Sequence, residues 1–220
     1  MALVEFAALA AMCAPNVHLT TLESIVTHES RANIYAIGVN GDYVLPRQPA
    51  SLEEAVATAE WLSENGYDFD SGLGQINARN VPKLGLTFEQ VFDPCTNLKA
   101  AAQILTECYE RAVPRYGAGQ PGLQAALSCY NTGNFERGFA NGYVYKVAAH
   151  VGTTVPALEA ISSGKNAAPV VLQGSGKGRA QAAPAAPKPA PKREGIPDAF
   201  GAAPKGAFSV ADNRQDEQTD

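Results

Sequence analysis

What the chain lacks narrows its function first. It has no apolar run of the length that a bilayer span requires, so no membrane-spanning helix is predicted. It has no cationic excess either. The formal net charge of -5 disfavours nucleic acid or an anionic lipid surface as the main partner, because both select basic patches. Its four cysteines contain no CxxC pair, so zinc-finger and thioredoxin-like readings lack their spacing. His28 and Glu29 open the string HESRA, which has no second histidine one turn on, and His18 and His150 stand far away in sequence. No metal site and no cofactor is expected. No GxSxG elbow surrounds Ser30. The string GSGKGR near the C-terminus has neither the GxxxxGK[ST] spacing nor a strand before it, so it is not a phosphate loop.

What is present is enough for one sizeable domain: 220 residues, with 45% hydrophobic content. A composition break falls near Gly164, after which Ala, Pro, Gly and Lys dominate, as in APAAPKPAPKREG. Such a stretch cannot bury enough apolar surface to offset its ordering entropy. The expected organisation is therefore a domain over 1–160 and a disordered tail over 161–220. The start, MALVEFAALAAMCAPNV, reads as the first helix of the domain: Glu5 interrupts its apolar run and no basic residue precedes it. A degenerate export signal is the alternative reading.

Most of the periodic patterns are helical. Thr20 and Glu23 are spaced as a capping box ahead of Leu22, Ile25, Val26 and Glu29, which share one face. Ser51 and Glu54 repeat the box before AVATAEWLSENG, which ends at a glycine stop. Leu98, Ala101, Ala102 and Leu105 stripe a third helix, Leu123, Ala126, Leu127 and Tyr130 a fourth, and YVYKVAAHV forms a last one. Between the first two lies IYAIGVNGDYVL, where Asn40-Gly41 is a strong hairpin signal. The fold class is mainly α, with one small β-hairpin beside the helix that bears Glu29.

An even cysteine count without a metal motif favours two disulfides and an oxidising compartment over buried thiols. Cys95 and Cys108 flank one helical pattern, whose rise of about 1.5 Å per residue separates them beyond disulfide reach. Cys108 and Cys129 stand at similar distances from the loop PRYGAGQPG between two helices, which leaves Cys13 for Cys95.

Three strings hold the candidate chemistry. Glu29 ends an apolar stripe, where partial loss of water raises a carboxyl pKa and suits a general acid; its ordinary role would be a solvated helix end or a pair with Arg31. SGLGQIN, Ser71 to Asn77, puts backbone freedom beside the amides of Gln75 and Asn77; alone it reads as a glycine-rich turn. SCYNTGN, Ser128 to Asn134, ends the fourth helix at Asn131 and Gly133, where a cap is the ordinary role.

Taken in order, ES at a helix end, GLGQIN, and YN followed by glycine resemble the soluble lytic transglycosylase domain, whose fold is similar to goose-type lysozyme. Tyr143, Val144 and Val147 match that family's closing pattern. The segments NIYAIGVNGDYVLPRQP, SLEEA and FDPCTNLKAAAQILTECY, with the four cysteines and the tail, are similar to the branch serving type IV secretion systems. The resemblance implies a periplasmic, cofactor-independent enzyme of peptidoglycan strands that cleaves the MurNAc-GlcNAc bond. It implies that Glu29 is the sole acid/base and that the muramic C6 hydroxyl closes a 1,6-anhydro ring. Ser30, Gln75, Asn77, Tyr130 and Asn131 would contact substrate, Tyr143 would hydrogen-bond near Glu29, and the tail would meet secretion components. One departure is Gly74, where the family usually has methionine, which would remove a side chain from the cleft wall. Asp42, Asp68 and Asp70 are the available second carboxylates, with Asp70 read as a turn cap. The rival readings are a hydrolytic muramidase and a wall-binding assembly factor without catalysis.

Overall fold

The computed structural model describes residues 3–156, 158, 159 and 167–172, and its character is mainly α, as expected. The chain opens with a two-residue strand β1 (Leu3–Val4) and helix α1 (Phe6–Cys13). Helix α2 (Leu19–Ser30) follows. Its N-cap is His18, whose Nδ1 accepts from the Thr20 N–H at 3.2 Å. The expected Thr20–Glu23 box is therefore not formed. The helix begins two residues too early for Thr20 to cap it, and the Glu23 carboxylate instead accepts from the backbone of Val155. Helix α3 (Leu52–Glu64) is capped by Ser51, which accepts from Glu54 N–H. Here only half of the box exists, because Glu54 reaches the Ala50 N–H and the Arg47 guanidinium.

The sheet differs from the expected hairpin. Strand β2 (Ile37–Val39) pairs antiparallel with β3 (Phe69–Ser71), which in turn pairs with β4 (Ile76–Asn77). The hairpin of this fold is thus β3–β4, and Asn40-Gly41 turns the chain without returning a strand. The reason lies in Gln48. Its Oε1 accepts from Ile37 N–H at 2.7 Å and its Nε2 donates to Ile37 C=O at 3.0 Å. One side-chain amide thereby occupies the edge that the second hairpin strand would have used, and Val44, expected in that strand, is 83% exposed.

Beyond a single-turn helix α4 (Phe88–Val91) come the long α5 (Pro94–Tyr116) and α6 (Gln120–Thr132). Asp93 accepts from Thr96 N–H and Pro94 takes the first turn, so the start of α5 is fixed by residues suited to it. Gly133, with φ of 67°, ends α6 in the left-handed conformation that glycine adopts at little cost. Short helices α7 (Arg137–Ala140) and α8 (Tyr143–Ala148) close the domain. Strand β5 (Leu158–Glu159) then pairs with β1 and ties the two ends together.

Two apolar cores share α5. Leu98, Ala102 and Leu105 face the first, with α1, α2, α6 and α8; Ala100 and Ala101 face the second, under the sheet and α3. Cys13–Cys95 and Cys108–Cys129 are both disulfides, with Cα separations of 5.3 and 5.8 Å. The first ties α1 to α5 and the second ties α5 to α6.

The expected tail boundary at 161 needs a qualification. Residues 167–172 lie on the domain: Val170 is 6% exposed within the second core, and its N–H donates to Thr58 Oγ1 on α3 at 2.8 Å. Its apolar residues give this piece what the Ala/Pro-rich remainder has little of. The rest of the predicted tail lies outside the described residues. Among the described residues no helix is long and apolar enough to cross a membrane.

Candidate active site

Leu22, Ile25 and Val26 sink the inner face of α2 into the first core, and the same face carries Glu29 to the seam between the two cores. Its carboxyl loses most of its water there, and Tyr143 Oη on α8 donates to Glu29 Oε1 at 2.5 Å. Burial pushes the Glu29 carboxyl up to about 7; the Tyr143 hydrogen bond opposes that rise and the charge of Asp70 adds to it. Arg31 is not its partner. Among the described residues the ion pairs are Arg47–Glu54, Arg79–Asp68 and Arg115–Glu136.

Glu29 opens into a cleft of about 470 Å³ between the seam and the sheet. Of the residues expected there, Gln75, Asn77, Tyr130 and Asn131 line it, whereas Ser30 does not. Ser30 is buried, and its hydroxyl donates to the Val26 carbonyl one turn back at 3.1 Å, so it is committed to its own helix. Asn77 bridges two aspartates, with Nδ2 2.9 Å from both Asp68 Oδ1 and Asp70 Oδ1. Asn131 Oδ1 accepts from Asn141 Nδ2 at 2.9 Å. Gln75 Nε2 donates to the carbonyls of Gly72 and Ala36, which holds the turn rather than leaving its donor free.

The glycine turn between β3 and β4 is tied to α5 by one buried residue. Asn97 Nδ2 donates to the carbonyls of Ser71 and Val91, and its Oδ1 accepts from Gly74 N–H. Tyr130 Oη completes the hold on Gly74 C=O at 2.6 Å. This overturns the expectation for Gly74. A Cβ there would stand 2.8 Å from Ala101 Cβ and 3.0 Å from Tyr130 Oη, so the position faces α5 and not the cleft. Gly74→Met is expected to lower stability by about 2 kcal/mol through overpacking, read as a lower urea midpoint at unchanged slope.

Sequence reading also undervalued Asp70. It is a strand residue: Phe69 and Ser71 on either side are fully buried, so the two-residue period turns Asp70 to the opposite face, toward the cleft. Asn40 and Asn77 amides donate to it, and burial raises its pKa. The buried-polar-buried pattern of FDS was the available signal.

Strain gathers at the same place. Among the described residues, the non-glycine ones with left-handed backbone are Arg31 (φ 53°) and Ala32 (φ 63°), just after Glu29, and Gln75 (φ 49°) in the turn. Such conformations are held only where the surroundings over-determine them, and they concentrate at functional sites. His28 and His150, distant in sequence, come together behind Tyr143: ring centroids lie 5.2 Å apart for His28–Tyr143 and 5.8 Å for His28–His150. Burial, then the charges of His150 and Lys146, lower the His28 pKa. Among the described residues no cluster of His, Cys, Asp and Glu could hold a metal ion.

A largely desolvated carboxyl titrating near neutrality, with a fixed phenol donor and an open cleft rich in amides, can give and take a proton at a bound polar substrate. Comparison with known proteins agrees with this chemistry. The chain is 44% identical over 165 residues to "Type IV secretion system protein virB1" of Brucella suis biovar 1, covering 72% of this chain and 69% of that one. It is 46% identical over 158 residues to the protein of that name from Brucella abortus, covering 69% and 66%. It is 38% identical over 168 residues to "Protein virB1" of Agrobacterium fabrum, covering 73% and 64%. The chain thus spans about two thirds of the length of these relatives, and no solved structure matches it. The Transglycosylase SLT domain description matches residues 6–151, which contain every residue of the cleft, and the chain belongs to that family.

Proposed function

We propose that Glu29 is the single acid and base with which this lytic transglycosylase cleaves peptidoglycan strands between MurNAc and GlcNAc. The observation that carries the reading is its carboxyl, raised to about 7 and held by Tyr143 at the mouth of the cleft. Protonated Glu29 gives its proton to the bridging oxygen as the bond from muramic C1 breaks. The substrate's own N-acetyl group stabilises the cationic sugar centre. Glu29, now a carboxylate, takes the proton of the muramic C6 hydroxyl, whose oxygen bonds to C1. The 1,6-anhydro ring closes, no water is consumed, and the acid is regenerated. Gln75, Asn77, Tyr130 and Asn131 line the strand's path; Tyr143 is a positioning residue, and Ser30 supports the helix that presents Glu29.

The names of the Brucella relatives support a place in type IV secretion, where local opening of the wall makes room for the channel. Two disulfides suit an oxidising compartment outside the cytoplasm, and the periplasm is the proposed location. The Ala/Pro-rich tail is proposed to meet secretion components.

Mass analysis of products released from purified peptidoglycan tests the reaction. Anhydro ends, one water lighter than reducing ends, are expected. Asp70 favours a second reading, hydrolysis with two carboxylates, because it brings another carboxyl to the same cleft; predominance of reducing ends would select it.

The pH profile tests the role of Glu29 separately. The protonated form is the active one, so the rate falls as pH rises through about 7. Tyr143→Phe removes a donor that favours the charged form, so this limb moves to higher pH while the rate drops about tenfold. Asp70→Asn removes a neighbouring negative charge, so the limb moves to lower pH. Shifts in the same direction for both variants would contradict the assignment.

A further inference from the structure

The cleft does not end at the sheet. A second cavity of about 330 Å³ adjoins it and shares Asn80, Lys83, Ile104, Tyr130 and Gly133 with it. Beyond Ile104, one turn of α5 after another adds Glu107 and Arg111, and the Cys108–Cys129 disulfide lies beneath.

The charges of this branch differ from those of the main cleft. Glu29, Asp68 and Asp70 line the main cleft, where Arg79 pairs with Asp68. In the branch, Arg111 and, at the junction shared with the main cleft, Lys83 are exposed cations, and among the described residues neither has a carboxylate partner. Arg111 is held by neutral contacts: its Nε donates to Glu107 C=O, its Nη2 lies 3.0 Å from Cys129 Sγ, and its guanidinium sits over the Phe135 ring. The carboxylate of Glu107, the acidic residue of the branch, accepts from the Gln103 amide instead. The side branch thus presents two positive charges, Arg111 held in place and Lys83 exposed at the junction, to whatever enters from the Glu29 end.

In a peptide-bearing strand the lactyl carboxyl of each muramic residue is tied up as an amide, so the sugars themselves give those charges nothing ionised to meet. The ionised groups of peptidoglycan are on the peptide carried by each muramic residue, and its carboxylates are the natural partners of a lysine and an arginine. We infer that this branch is a subsite for the carboxylate-bearing peptide of the muramic residue, held by Lys83 and Arg111 while the sugars occupy the main cleft. The inference rests on the reading of the enzyme as one acting on peptidoglycan.

The test compares two substrates: intact peptidoglycan strands, and the same strands stripped of peptide by an amidase, which frees one lactyl carboxylate close to each muramic ring but removes every carboxylate of the peptide. The wild-type protein is expected to show a higher kcat/KM on peptide-bearing strands. Lys83→Gln and Arg111→Gln should each cut that preference about threefold to fivefold, as loss of one exposed charge pair does, and added salt should erode it in the same sense. Lys83 is exposed, so its variant answers the question even if Arg111→Gln fails to fold. Equal rates on both substrates in the wild type, or a preference untouched by Lys83→Gln, would overturn the subsite. Absence of anhydro products from either substrate would instead remove the proposed reaction, so the two failures are distinguishable.

Discussion

Glu29→Gln is expected to lower release of anhydro-muropeptides by about 10³-fold or more and, at the same time, to make the protein more stable above neutral pH. The first effect follows because the amide can neither give the bridging oxygen its proton nor take one from the C6 hydroxyl, and acid–base assistance carries factors of this size. The second follows from linkage. Folding raises the Glu29 pKa from 4.5 to about 7, so the native state holds its proton where the unfolded chain releases it. The stability tied to the neutral form is complete below about pH 4.5 and is lost as pH rises to about 7. Beyond that the charged, buried carboxylate costs the wild type about 3 kcal/mol, which a neutral glutamine does not incur. Urea unfolding at pH 5 and pH 8 checks it: the variant should gain on the wild type at the higher pH. An unchanged difference at both pH values would mean that Glu29 is not buried as described, and anhydro products persisting in the variant would remove it from the chemistry.

Replacing Cys13 and Cys95 together by serine is expected to cost about 4 to 5 kcal/mol of stability, the largest loss from any one covalent tie. The bond closes a sequence separation of 82 residues, against 21 for Cys108–Cys129, whose removal should cost about 3 kcal/mol. The order comes from loop entropy in the unfolded chain, and both figures are large beside the 5 to 15 kcal/mol that holds a typical domain together. Denaturant midpoints of the two double serine variants, read without reductant, test the ranking. Equal losses would mean that native packing around α1, and not loop closure, sets the effect.

Much of this architecture could be read from the chain because its main signals are local. The stripes on α2, α5 and α6 repeat at helical spacing, and Gly133 marks a stop that needs no distant partner. The sheet could not be read the same way. The partner of Ile37–Val39 lies some thirty residues on, and the amide of Gln48 cancels the hairpin that Asn40-Gly41 signals. The candidate site divides along the same line. Glu29 and Tyr130 lie on amphipathic helices whose inward faces are evident from spacing. Asp70 lies on a strand of three residues, too short for its alternation to stand out, and the direction in which Gly74 faces depends on where α5 passes. Ser30 adjoins Glu29 in sequence, but neighbours on a helix point about 100° apart, and its hydroxyl bonds to its own backbone.

Gln48 has a further consequence, for how copies of the protein meet one another. A bare strand edge is a template on which any extended chain can pair, and β2 would offer one at the margin of its sheet. The amide of Gln48 already fills the donor and the acceptor of Ile37, so an incoming strand finds that rung taken. The same side chain that keeps the neighbouring loop from folding into the sheet keeps a second molecule from adding to it at that rung.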